Sequence, residues 1–255
     1  MSLLDTFDAA SEPVLRAGLL HAPVPQMPRT LVVTFKDEIR AMAAGLPGAE
    51  PVADLNPAFQ PAPVYRIPWN GTELGLYQTV VGGAGSAMLL ENACAMGAER
   101  FIFFGSCGVL NPAIDQNRIL VPTAAWRDEG VSYHYAPASD WQEVRSAGRM
   151  QAALDALGVP HQAVRSWTTD ALYRETTGNC ARRRAAGCDV AEMECASVMA
   201  CASWLGRECL QFLYVDDALL DEEWDAGKWF SDEGHRLRGY LQIALEAAAW
   251  LQTHA

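Results

Sequence analysis

Positive charge is scarce in this sequence: 19 Lys and Arg residues face 31 Asp and Glu, a formal net charge of −12 at pH 7. Nucleic-acid backbones and anionic membranes need basic surface to offset their phosphates, so the deficit argues against both as partners and favours a small molecule. Long apolar runs are lacking too. None reaches the length that spans a bilayer, and the first residues, with Asp5, Asp8 and Glu12, have neither the basic stretch nor the apolar core of a signal peptide, so the expected location is the cytoplasm. Close cysteine pairs are missing: the seven thiols form no Cys-x-x-Cys and the five histidines are scattered, which argues against a metal site and a disulfide framework. No linker rich in Pro, Gly or Ser, no block of like charge and no internal repeat divides the chain. The proline-rich stretch from Pro47 to Pro68 reads as a long surface connection within one domain.

What is present is a 255-residue chain, half of it apolar, in which short β-branched or aromatic runs alternate with helical spacing. That alternation predicts an α/β fold. Strands are expected at Leu31–Phe35, Val64–Pro68, Leu74–Val81, Arg100–Gly105, Arg118–Thr123, Gln162–Thr168 and Leu210–Val215. Helices are expected at Asp37–Ala44, Ser86–Gly97, Trp141–Leu157, Glu194–Leu205 and Ser231–Thr253. Cys94, Cys195 and Cys201 fall within apolar helical patterns, where a thiol acts as a small hydrophobe.

Small residues cluster where two strands should end, in Gly82-Gly83-Ala84-Gly85-Ser86 and Gly105-Ser106-Cys107-Gly108. Both are candidate ligand loops, because ligands in open α/β sheets collect beyond the carboxyl ends of strands and glycine lets backbone N–H groups approach them. A tight turn with Ser86 as helix cap is the competing account of the first. Neither has Walker or Rossmann spacing. In Ala191-Glu192-Met193-Glu194-Cys195-Ala196 two carboxylates sit where a strand gives way to an otherwise apolar helix. They either favour the helix N-terminus electrostatically, or one waits for donors such as the vicinal hydroxyls of a ribose, with Met193 beneath the sugar.

Four segments together resemble the nucleoside phosphorylases of the purine nucleoside phosphorylase and uridine phosphorylase group. They are Gly82–Ser86, Phe104–Gly108, Arg127-Asp128-Glu129-Gly130-Val131-Ser132-Tyr133-His134-Tyr135 and Val190–Ala196; the third is closest in style to the uridine phosphorylase branch. The resemblance implies one catalytic domain over residues 31–255 after an N-terminal extension of residues 1–30. It also implies a central twisted mixed sheet flanked by helices in three layers, and homo-oligomers, dimers or hexamers, that share active sites. It implies that Met193 and Glu194, with Glu192 adjacent, bind ribose. Ser106 and Gly83 would face phosphate, while Cys107 and Gly108 line the base pocket. Leu172 stands where the family has an aromatic residue over the base, so Trp167 or Tyr173 would have to supply stacking. Asp217 aligns with the acid that protonates a departing purine, whereas the third segment is uridine-like, so the base stays open. Arg174 is a candidate reader of a base carbonyl or a 5′ substituent, with a surface salt bridge to Glu175 or Asp170 as the alternative. Trp224 and Trp229 are candidate lid residues or core-packing aromatics.

The chain departs from the family at its phosphate arginines. Thr34-Phe35-Lys36-Asp37-Glu38-Ile39-Arg40 replaces the usual loop, Phe103 stands where an arginine is expected, and none lies near Gln60. Either Lys36, Arg40, Arg66 or Arg127 holds phosphate, or water attacks instead, activated by Glu38. The expected activity is therefore a nucleoside phosphorylase with phosphate as co-substrate and no cofactor. A nucleosidase is the alternative, and a non-catalytic nucleoside-binding relative the second alternative.

Overall fold

The computed structural model describes residues 2–56, 60–220, 224–227 and 234–254. Ten strands occur among them: β1 (Thr30–Thr34), β2 (Glu50–Asp54), β3 (Pro63–Trp69), β4 (Thr72–Gln78), β5 (Arg100–Val109), β6 (Ile119–Asp128), β7 (Trp141–Glu143), β8 (His161–Thr169), β9 (Val190–Glu192) and β10 (Glu208–Ala218). The helices are α1 (Ala17–Leu20), α2 (Asp37–Ala44), α3 (Gly83–Met96), α4 (Ser132–Tyr135), α5 (Ala147–Ala156), α6 (Thr177–Ala185), α7 (Cys195–Trp204) and α8 (Gly234–Thr253), with 3₁₀ turns at Leu3–Asp5 and Leu172–Arg174.

One mixed sheet of order β10-β6-β8-β9-β5-β1-β4-β3-β2 organises the domain, with β7 beside β6. Because β10 also pairs with β5, the strands β5, β10, β6, β8 and β9 close on themselves, and β1, β4, β3 and β2 extend from β5 as an open wing. All five residues of β1 are buried, the signature of a strand covered on both faces. Residues 195–202 of α7 are likewise all buried, so this helix lies inside the molecule rather than on it. Strands β1, β5 and β10 run parallel as neighbours, which brings their carboxyl ends to one edge.

The α/β fold with a single large mixed sheet is as the sequence predicts. Several boundaries differ. β5 does not stop at Gly105 but continues to Val109, so Ser106, Cys107 and Gly108 are strand residues and not a loop. Pairing with β10 on one side and β9 on the other satisfies this stretch and overrides the strand-weakening tendency of its glycines. Trp141–Glu143, expected to open a helix, instead pairs with β6, and α5 begins at Ala147. The stretch Pro47–Pro68, expected as a surface connection, contains β2 and most of β3, paired antiparallel at the sheet edge. Residues 231–233, the expected start of the last helix, lie outside the described residues. The N-terminal extension packs on the domain: Thr6 Oγ1 donates to the Tyr133 carbonyl at 3.2 Å, Phe7 meets Trp204 edge-on, and Val24 N–H reaches the Met96 carbonyl at 2.9 Å. All seven cysteines are free. Among the described residues no helix is long and apolar enough to cross a membrane.

Candidate active site

A cavity of about 620 Å³ opens where the carboxyl ends of β1, β5, β9 and β10 converge. The N-cap and first turn of α2 give Lys36 and Glu38; β5 gives Ser106, Cys107 and Gly108; the β9–α7 junction gives Glu192, Met193 and Glu194; and β10 gives Asp216 and Asp217. The turn after β8 adds Leu172 and Glu175.

The two glutamates of the β9–α7 junction do different work. Glu192 Oε2 accepts from the N–H groups of Glu194 (2.8 Å) and Cys195 (2.6 Å), and its Oε1 accepts the Thr168 hydroxyl. Thr168 Oγ1 in turn accepts from Ala196 N–H at 3.0 Å. Glu192 thus bonds the start of α7 from two residues before its N-cap, Glu194, satisfying donors that a buried helix start would otherwise strand. Burial pushes its carboxyl up, and these hydrogen bonds work against that. Glu194, two residues on, accepts from Gly82 N–H at 2.6 Å. Gly82 donates from φ +99°, a backbone state that only glycine adopts readily, which explains the glycine at this turn. Burial first, then the neighbouring Glu192 charge, raises the Glu194 carboxyl to about 8.

At the end of β10 the pairing with β5 slips between Val215 and Asp217, a bulge that places two consecutive aspartates at the cavity. Asp216 is 2% exposed and holds Lys36 Nζ and Arg236 Nη1, each at 3.4 Å. Asp217 accepts the Trp224 indole N–H at 2.7 Å, and burial raises its carboxyl. A Cβ on Gly108 would stand 3.1 Å from Asp217 Oδ1, so glycine here makes room for that acid. Glu175 is raised to about 7 by burial and then by Asp217.

A family model described as the phosphorylase superfamily matches residues 31–245. The chain belongs to the phosphorylase superfamily. It is 32% identical over 109 residues to a uridine phosphorylase of Thermococcus kodakarensis, covering 41% of this chain and 39% of the relative. It is 30% identical over 73 residues to a uridine phosphorylase of Escherichia coli, 29% of each chain. A guanosine phosphorylase of Halorubrum lacusprofundi is 29% identical over 72 residues, 28% of this chain and 30% of the relative. The matched segments thus span well under half the length of these curated relatives.

In this superfamily member the cavity gathers Glu38, Lys36, Ser106, Cys107, Gly108, Leu172, Glu192, Met193, Glu194 and Asp217 from the residues singled out in the sequence. Others lie elsewhere. Gly83 packs under the site against Ser197 rather than lining it. Trp167 is 1% exposed in a separate core cluster and donates to Asp128 at 3.0 Å. Tyr173 is 94% exposed and Arg174 is exposed. Arg40 pairs with Asp37 at 2.6 Å, and Arg66 with Glu50 and Glu73. Arg127 is buried, but its guanidinium is taken up by the Ser132 hydroxyl and the carbonyls of Pro137 and Ala136, over the Tyr133 ring. Lys36 is the one sequence-predicted cation that reaches the cavity. Phe103 is fully buried and packs near Phe35, so a core aromatic fills the position of the missing arginine. Trp229 lies outside the described residues, and Trp224 is half-exposed on Asp217.

Sequence reasoning missed Glu175 as a cavity residue. The signal was available: it follows Leu172 by three positions across a 3₁₀ turn, which puts both side chains on one side.

Proposed function

We propose that this chain cleaves the N-glycosidic bond of a nucleoside, transferring its pentosyl group away from the base. One observation carries the reading: Glu194 is buried against the cavity beside Met193, its carboxyl fixed by Gly82 N–H. A carboxylate so placed accepts hydrogen bonds from the sugar hydroxyls and opposes the positive charge that develops on the ring as the bond to the base breaks. Met193 packs under the sugar. Asp217, raised by burial, can hold the proton that a departing base needs.

Phosphate is the first reading for the acceptor, with Lys36 and Ser106 as its contacts, supported by membership of the superfamily and by relatives named uridine and guanosine phosphorylases. Water is the second reading, and a specific observation favours it. Lys36 is the one cation among the described lining residues; it is bonded to Asp216 and shares the lining with Asp37, Glu38, Glu175, Glu192, Glu194 and Asp217. A phosphate dianion gains little there, whereas Glu38, exposed at the cavity edge, can take a proton from water. Assembly as a homo-oligomer with shared sites belongs to either reading.

The test is to incubate nucleosides with and without phosphate and to resolve free base, pentose 1-phosphate and free pentose. Pentose 1-phosphate identifies phosphorolysis; complete cleavage without phosphate identifies hydrolysis. Glu194→Ala should lower turnover about a thousandfold, ~4 kcal/mol of transition-state stabilisation, with an unchanged fold. Near-normal turnover in that variant, or tight nucleoside binding with no base released in either condition, would end the proposal, the second outcome pointing to a binding protein.

A further inference from the structure

Where β10 ends beside the turn after β8, the cavity lining carries acid and, among the described residues, no cation beyond Lys36, which is held by Asp216. Asp217 and Glu175 act on one another there, one from the bulged end of β10 and the other from the turn after β8, beside Cys107, Gly108, Leu172 and Leu219. Asp217 is engaged by the Trp224 indole. The Glu175 carboxyl makes no hydrogen bond or ion pair with any described residue, although it is well sheltered from solvent. Arg174, the side chain that would have read a carbonyl, is exposed one position away and does not line the cavity.

An ionised carboxylate only accepts hydrogen bonds. The edge of uracil offers two carbonyl oxygens around a single N–H, so lone pairs would face lone pairs. A 2-amino-6-oxopurine offers N1–H and the exocyclic amino group side by side, and one carboxylate takes both. Hypoxanthine keeps only N1–H. Adenine presents its amino group next to an acceptor nitrogen.

We infer that Glu175 is a specificity-determining residue that makes this site select a purine nucleoside of the guanine type, whose base edge carries adjacent N–H donors, over uridine. This rests on the reading of the cavity as a nucleoside-cleaving site. It does not depend on whether phosphate or water attacks. A site that hydrogen-bonds a donor edge rejects a base lacking it far more strongly than a merely apolar pocket would, because the carboxylate is then left facing the wrong partner.

The experiment compares guanosine, inosine, adenosine and uridine on the intact protein with phosphate present, at about pH 8, where a carboxyl raised to about 7 is ionised. Expected is kcat/KM falling in the order guanosine, inosine, then adenosine and uridine, with guanosine ahead of uridine by about a hundredfold or more. Glu175→Gln should lower kcat/KM for guanosine by about thirtyfold, chiefly through KM, and leave uridine within about threefold or improve it. Uridine as the best substrate overturns the inference, as does an equal loss for both nucleosides in a variant of native melting temperature. If the wild type cleaves no nucleoside with or without phosphate, the nucleoside-cleaving reading fails on its own. Thermal shifts then decide the inference separately: a larger shift with guanosine supports it, and an equal or larger one with uridine overturns it.

Discussion

Glu194 carries a measurable cost as well as a function. Its ordinary carboxyl value is 4.5, and in the folded chain it is about 8. Below about pH 4.5 the group is protonated folded or unfolded and contributes nothing to the pH dependence of stability. Between the two values the unfolded chain releases the proton while the folded chain keeps it, so stability falls as pH rises, and above about 8 the full cost of a buried charge is present. Glu194→Gln keeps the shape without the charge. Relative to wild type it should gain melting temperature at about pH 9 and match it near pH 4.5; a difference that does not grow with pH sinks the assignment. The same titration bears on activity. If the ionised form grips the sugar, kcat/KM should climb by about tenfold per unit on the acid side and level off near the raised value. Glu192, two residues earlier, has its oxygens committed to α7 and Thr168. Its replacement should therefore be read first in stability.

At the scale of elements, the site depends on how closely α3 is seated against α7. A Cβ built on Gly83 would lie 2.1 Å from Ser197 Oγ, and that hydroxyl donates at 2.5 Å to buried Glu129, which also takes Ser132 N–H at 2.9 Å. Gly83→Ala should cost about 1–3 kcal/mol through overpacking. It should also shift Gly82 N–H off Glu194. Adding Ser197→Gly clears the clash, so the double variant should recover more activity than the two losses combined predict, a coupling that a double-mutant cycle on kcat/KM and melting temperature reads directly. Strict additivity would show that the contact does not position α3.

What the sequence disclosed follows from the same geometry. β1 and α7 were legible because burial all round leaves nearly unbroken apolar text. The acid pair at the start of α7 stood out as a candidate site because charge there is anomalous, and both acids do line the cavity. The strand at β9 was legible from the same junction, whereas three-residue β7 was not, since so short a run owes its shape to the neighbouring β6. Ser106–Gly108 lines the cavity, but as strand and not as the loop expected, because glycine signals a loop only when no strand flanks it. Which arginines reach the cavity could not be read at all: Arg40, Arg66 and Arg127 are each diverted by a nearby carboxylate, hydroxyl or carbonyl that sequence spacing does not reveal.

For the whole molecule the governing fact is its charge of −12 together with a cavity wall that repeats that sign. A neutral nucleoside crosses such a field unhindered, but a phosphate dianion is repelled both at long range and within the cleft. Screening should therefore separate the two acceptors. Raising ionic strength from about 0.01 M to about 0.15 M shortens the screening length from about 30 Å to about 8 Å. If phosphate is the co-substrate, its KM should fall severalfold over that range while the nucleoside KM stays nearly constant, with the effect strongest where Asp217 and Glu175 are ionised. If water attacks, neither phosphate nor ionic strength should alter the rate of base release by more than a small factor. A phosphate KM that rises with ionic strength would show the opposite, that Lys36 and a neighbouring subunit build a locally positive anion site that overrides the field of the chain.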